Sequence, residues 1–254
     1  MLNVNHIVHQ IWGLCKADEG KDPPRALEDC SKTWQEHARA NDMVYKRWNR
    51  QEIEEIVDKT PWKTTFYSLE HWVEQCDFAR YILVYLYGGI YSDMDTVCKV
   101  CPKIQYKTLT IGLEANVSDD ERLFHNLARN VQYCQWTFAA DKGHPALLAV
   151  ITAIDLHTSK TCASVLNRTG PGAFTDAIES YMAYMASMAQ NDHILQNAQN
   201  DPVEILGIEA FACGQKHSNS PNPSDSRCMV IHTFEGSWKY PSLFRPLVKF
   251  LKRF

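Results

Sequence analysis

The chain has 254 residues, enough to bury a substantial core within a single domain. It carries 26 Lys and Arg against 30 Asp and Glu, a net charge of -4 with no basic run before the C-terminus, which argues against a nucleic-acid binder. The opening MLNVNHIVHQIW lacks the basic head of a secretory leader, and no window reaches the roughly 20 apolar residues of a membrane span.

Val4 to Trp12 is β-branched and apolar up to Gly13 and predicts a first, buried strand. A helix is expected over Leu27 to Ala40, a short strand at MVYKRWN, and a short amphipathic helix at RQEIEEIVDK. This β-α-β-α order predicts a mostly parallel central sheet flanked by helices. Ser68 is expected to cap a helix that runs to Tyr87, with Phe78, Ile82, Tyr85 and Leu86 on one face. Gly88-Gly89 ends it, one glycine serving as a left-handed C-cap, and Ile90 to Ser92 follows as a very short strand.

Farther on, TLTIGLEA and CQWTFAA read as strands, GHPALLAVITAIDLH as a helix with Pro145 near its first position, and GPGAFTDAIESYMAYMASMA as another helix. VEILGIEAF and CMVIHTF read as strands. Between them Gly214 to Arg227 forms a long Gly/Ser/Pro/Asn loop. Residues 243–254, LFRPLVKFLKRF, predict a basic amphipathic helix that packs on its own domain or touches a membrane surface. Nothing repeats and nothing reads as a linker, so residues 1–254 are expected to form one domain. The nine cysteines have no framework spacing and predict free thiols in a reducing, cytoplasmic setting. CKVC at Cys98 to Cys101 is a lone CxxC, which does not make a zinc site.

Asp93 and Asp95 stand two apart at the end of a predicted strand, where ligands bind in open α/β sheets. In extended chain both carboxylates point the same way and repel unless a cation lies between them, and a hard oxygen pair suits Mn²⁺ or Mg²⁺. By itself such a pair is more often a solvated turn. Asp77 and Arg80, three apart on the helix, share a face and could be a simple ion pair.

The longer segment CDFARYILVYLYGGIYSDMDT, with Asp77, Arg80, Gly88, Gly89, Tyr91, Asp93 and Asp95, resembles the sugar-binding region of the DXD-motif retaining glycosyltransferases. That family includes fungal initiating mannosyltransferases, capsular polysaccharide enzymes and, distantly, the clostridial glucosylating toxins. IVHQIWG, GHP at Gly143 to Pro145, TGPGAFT at Thr169 to Thr175 and IHTFEGSW are similar to its other anchor points. The resemblance implies a GT-A, Rossmann-like fold, a nucleoside-diphosphate sugar donor (UDP- or GDP-linked), Mn²⁺ or Mg²⁺, and retaining transfer to an oligosaccharide, glycolipid or protein acceptor. It implies Asp95 as a direct metal ligand and Asp93 as shared between donor and metal. Asp77 and Arg80 would lie against the donor sugar, and Trp12 would stack on the base. His232 or Ser237 would complete the metal shell, with Trp238 and Lys239 at the diphosphate. Core packing remains the alternative for Trp12 and His232, and an exposed lysine for Lys239. Tyr91 is expected to point away from the two carboxylates, contacting donor or packing. The competing expectations are a non-catalytic binding module on the same scaffold and a toxin-like protein glycosyltransferase. Acceptor contacts are expected from Gly214 to Arg227 and from parts of Glu114 to Arg129.

Overall fold

A computed structural model describes residues 6–100, 102–105, 107–157, 164–189, 202–215 and 219–234. The first half runs β1 (Ile7–Ile11), α1 (Arg25–Ala40), β2 (Val44–Trp48), α2 (Arg50–Val57), α3 (Lys63–Ser68), α4 (Trp72–Tyr87), β3 (Gly89–Ser92) and β4 (Thr96–Cys98). The second runs β5 (Leu109–Asn116), α5 (Asp119–Phe124), β6 (Val131–Ala140), α6 (Pro145–His157), α7 (Val165–Arg168), α8 (Pro171–Ala189), β7 (Val203–Leu206), α9 (Ile208–Phe211) and β8 (Val230–His232).

Six strands form one sheet in the order β2-β1-β3-β6-β5-β7, and β4 pairs with β8 in a separate two-stranded sheet. The pairings β1–β2, β1–β3 and β5–β7 are parallel, whereas β6 runs antiparallel to both of its neighbours. The sheet is therefore mixed but mostly parallel. Each face covers its own core. Phe66, Phe78, Tyr81, Tyr91, Phe138, Ile151 and Phe174 pack on the side of α4, α6 and α8. Val8, Trp34, Ile90, Trp136 and Phe211 pack on the side of α1 and α9. The inner strands β3, β5 and β6 are buried on both faces and read as largely apolar runs, whereas the edge strands β2 and β7 are only partly buried.

Local chemistry moves some predicted boundaries. α4 begins at Trp72, not at Ser68, which instead closes α3. The Glu74 carboxylate accepts the His71 N–H at 3.2 Å and caps the later start. VEILGIEAF is not one strand: Gly207 separates β7 from the short α9. The expectation of free thiols fails at one pair, because Cys213 and Cys228 form a disulfide across 15 residues. Cysteine spacing does not encode connectivity, and a closed loop of that length contributes roughly 3 kcal/mol in the chain-entropy view. Cys15, Cys30, Cys76, Cys98 and Cys134 are not in disulfides. Cys101 and the predicted C-terminal helix, residues 243–254, lie outside the described residues.

Candidate active site

The site is built on the link between α4 and β3. The helix carries Asp77 and Arg80 on one buried face and ends at Gly88, whose φ is 69°. Gly89 follows with φ 108°, and a Cβ there would stand 2.1 Å from the Ile7 carbonyl oxygen. Only glycine lets β3 lie this close to β1. The parallel register His9↔Tyr91 levels the carboxyl ends of the two strands, so Trp12 and Asp93 emerge at one edge of the sheet. His9, fully buried, sits under this turn. Its Nε2 donates to Gly88 O at 2.9 Å and its Nδ1 accepts from Trp48 at 3.0 Å. Burial pushes its pKa down to about 4.

Beyond Ser92 the chain does not stay extended. It turns at Met94 and Asp95, with Asp93 O accepting from Thr96 N at 3.2 Å and Thr96 Oγ1 at 2.6 Å. The convergence of the two carboxylates thus comes from a tight turn, a correction to the extended geometry expected. Gln10 Nε2 donates to Asp93 O at 3.0 Å, and Tyr45 in turn donates to Gln10 at 2.8 Å. Asp93 N donates to Trp136 O at 2.8 Å.

Arg80 lies between the carboxylates. Its Nη2 is 2.8 Å from Asp77 and 3.4 Å from Asp93, and its Nη1 donates to Gln135 O at 3.2 Å. Its guanidinium lies 4.9 Å from the centre of the Tyr91 ring. Tyr91 does not point away from the motif. Its hydroxyl donates to Asp93 Oδ1 at 2.7 Å, because residues two apart at the strand end share a face. The Asp77–Arg80 pair is no surface pair: the side chains are 3% and 5% exposed. Burial raises the Asp77 pKa to about 6, against the pull of Arg80 and of the Thr169 hydroxyl, which donates at 2.9 Å. For Asp93 burial acts upward as well, but Arg80, His232 and Tyr91 outweigh it and hold the carboxyl below its ordinary value.

β8 brings the third group. His232 Nε2 lies 3.3 Å from Asp95 Oδ1 and 3.9 Å from Asp93 Oδ2. Asp93, Asp95 and His232 each offer one ligand atom, all within 4.8 Å of one another. Two carboxylate oxygens and one imidazole nitrogen fit a divalent ion of the Mn²⁺ kind. Burial lowers the His232 pKa, but the carboxylates outweigh it and favour the imidazolium. Phe234 N–H donates into Nδ1 at 2.9 Å and pulls the other way, toward a neutral ring protonated on Nε2. Ligation through Nε2 would move that proton to Nδ1 and release Phe234 N–H.

Trp12 sits just past β1 and walls a cavity of about 420 Å³ together with Lys21, Arg47, Trp48 and Arg50. Its indole N–H donates to Lys21 O at 2.8 Å, so the ring is held in place at the cavity wall and is not core. Ser237, Trp238 and Lys239 lie outside the described residues.

Three residues join the site without having been given a role from sequence. Gln10 and Thr169 stand within stretches already singled out, IVHQIWG and TGPGAFT. Gln135 carries no local signal. Its amide donates to Asp77 at 3.3 Å and accepts from Tyr81 at 2.6 Å, knitting β6 to α4.

Fold and site together define an α/β unit with two carboxylates and a histidine gathered at the edge of its sheet. The PaToxG Glycosyltransferase structure shares the fold, with a TM-score of 0.52 and 14% identity over 76% of this chain and 75% of that one. Residues 24–117 match the family described as "Glycosyltransferase sugar-binding region containing DXD motif". The initiation-specific alpha-1,6-mannosyltransferase of Schizosaccharomyces pombe is 38% identical over 189 residues, 66% of this chain and 47% of that protein. The Candida albicans protein of the same description is 27% identical over 233 residues, 74% of this chain and 60% of that one. Glycosyltransferase L373 of Acanthamoeba polyphaga mimivirus is 23% identical over 239 residues, covering 92% and 84%. The chain thus spans about half the length of the first of these relatives, 47%.

Proposed function

We propose that the protein is a metal-dependent, retaining hexosyltransferase that uses a nucleoside-diphosphate sugar. The observation that carries this reading is the meeting of Asp93, Asp95 and His232 beside the buried Asp77–Arg80 pair. Asp93, Asp95 and His232 would hold Mn²⁺ or Mg²⁺, which when bound supplies positive charge for the departing diphosphate. The chain's own residues do the rest. Arg80, fixed by Asp77 and Gln135, presents a preorganised cation where negative charge develops. Asp77 and Asp93 contact the donor. Trp12 offers its ring to the base at the cavity mouth, and Ser237, Trp238 and Lys239 serve the diphosphate. Asp93 is held by Arg80 and Tyr91 and is not available as a general base. This suits same-face displacement better than a two-carboxylate glycosidase scheme, which needs carboxyls on either side of the bond.

The relatives named mannosyltransferases make mannose the first sugar to test. The acceptor is a hydroxyl of a glycan, glycolipid or protein. The α5 segment, with Leu123 66% and Phe124 84% exposed, is the proposed contact surface for it. Among the described residues no helix is long and apolar enough to cross a membrane.

The test is a screen of UDP- and GDP-sugars with Mn²⁺, reading released nucleotide. Turnover of one donor, including slow hydrolysis, that is lost in Asp95→Ala supports the enzyme. Tight sugar binding by the folded protein with no turnover of any donor would instead favour the binding module.

A further inference from the structure

The disulfide lies next to the cluster but has no part in the chemistry above. Asp93 and Asp95 are anchored through β3 to the large sheet, whereas His232 is not. Its strand, β8, pairs with the three residues of β4, where Thr96 stands opposite His232. The chain enters β8 straight from Cys228. At that entry Met229 N donates to Ala210 O at 3.0 Å, and Met229 O accepts from Lys99 N at 2.8 Å and Val100 N at 3.0 Å. Cys213, bonded to Cys228, itself bridges to Ile231, the residue before His232. Lys99 Nζ clamps the intervening loop through Pro223 O at 3.0 Å and Asp225 O at 2.9 Å. Both sulfurs are wholly buried against this junction. On its far side Thr233 N donates to Asp95 O at 2.8 Å, so β8 is a short tether stretched between the disulfide and the Asp turn.

We propose that the Cys213–Cys228 disulfide is a positioning element for the cation cluster: it holds His232 against Asp93 and Asp95, so that the oxidised chain offers three ligands and the opened chain two. The inference rests on the cation reading of the cluster given above. Opening the bond with a dithiol breaks S–S and forms two S–H groups. The two electrons and two protons come from the dithiol, which leaves as its own disulfide. Occupancy of the site would thereby follow the redox state of the surroundings, favouring an oxidising compartment.

The experiment is a cycle of Mn²⁺ affinities for the oxidised protein, the Cys213→Ala/Cys228→Ala variant, His232→Ala, and all three substitutions together. Loss of an orienting group costs a metal site roughly 10–100-fold in affinity, and that loss is expected in the cysteine variant. No further loss is expected when His232→Ala is added. Additive losses, or unchanged affinity in the cysteine variant, would overturn the proposal while leaving the cation site standing. If the oxidised protein binds no Mn²⁺, the cation reading itself fails. The positioning claim then stands or falls on the His232 ring resonances, which must move between wild type and cysteine variant while those of His9 stay fixed. Should the alanine variant not fold, wild type titrated with a dithiol supplies the same comparison.

Discussion

The cluster is assembled from two unlike regions. From Asp77 to Asp95 one continuous stretch supplies helix, turn and strand end, locked to the large sheet by His9, Gln10 and Gln135 and to the α7–α8 link by Thr169. His232 comes from a three-residue strand outside that sheet, held by β4 and a disulfide. In the first region the groups that would serve the donor are also structural, since Arg80 neutralises two carboxylates that folding has buried. In the second the candidate ligand stands at the edge of the core, its ring 4.9 Å from that of Trp136. The lesson is that one site can draw its rigidity from one part of the chain and its adjustability from another.

Arg80→Ala tests this difference most severely. It leaves Asp77 and Asp93 without their cation, and removing one partner of a buried pair costs about 3–5 kcal/mol. Denaturant unfolding should show that loss, together with loss of turnover, whereas His232→Ala, which leaves the Arg80 pairs intact, should cost less, about 1 kcal/mol. Equal destabilisation by both would erase the distinction.

Asp95→Ala comes next. Asp95 sits in the turn and its loss should lower turnover about 10²–10³-fold, the scale of losing one preorganised electrostatic group. The melting temperature should hardly move. A variant that melts much earlier would place Asp95 with Arg80 among the structural groups.

Asp77→Asn probes the same locked region by pH. In the wild type Asp77 has a folded pKa raised to about 6 and keeps its proton below that value, so Arg80 loses a charged partner as pH falls. Donor turnover should decline on the acid side with a midpoint near pH 6, and Asp77→Asn should abolish that limb. Persistence of the limb at the same pH would assign it to another group.

The smallest effect at neutral pH belongs to the floor of the turn. His9 has its folded pKa depressed from 6.5 to about 4, so the unfolded chain binds the proton first. Stability is therefore fully present above pH 6.5 and is lost as pH falls toward 4, at up to about 1.4 kcal/mol per pH unit. His9→Gln should flatten that part of the stability–pH curve. An unchanged slope would mean that the histidine is protonated in the fold.

Legibility from sequence divided along the same line. The helix and glycine stop of the Asp77–Asp95 stretch are readable because their signals are local, as is the Pro145 helix start, while the roles of its carboxylates come only from the family resemblance. The long-range parts were not. Nothing local announces that Gln135 reaches Asp77, or that Cys213 seeks Cys228 among nine cysteines. His232 could be suspected only from its similarity to a family position, since a lone histidine beside a strand has no signature of its own. Tyr91 went astray for a simpler reason: with its side chain on the face shared by residues two apart, it belongs with Asp93.

The contact of Gly89 with Ile7 also bears on the tolerance of the sequence to change. Gly20 and Gly143 have positive φ too, yet a Cβ at either meets no atom within 4 Å. At those positions asparagine or aspartate has room to adopt the backbone. At Gly89 both angle and space refuse any side chain. A saturation library selected for folded protein should therefore return several amino acids at positions 20 and 143 and glycine alone at 89, a mutational silence imposed by the neighbouring strand.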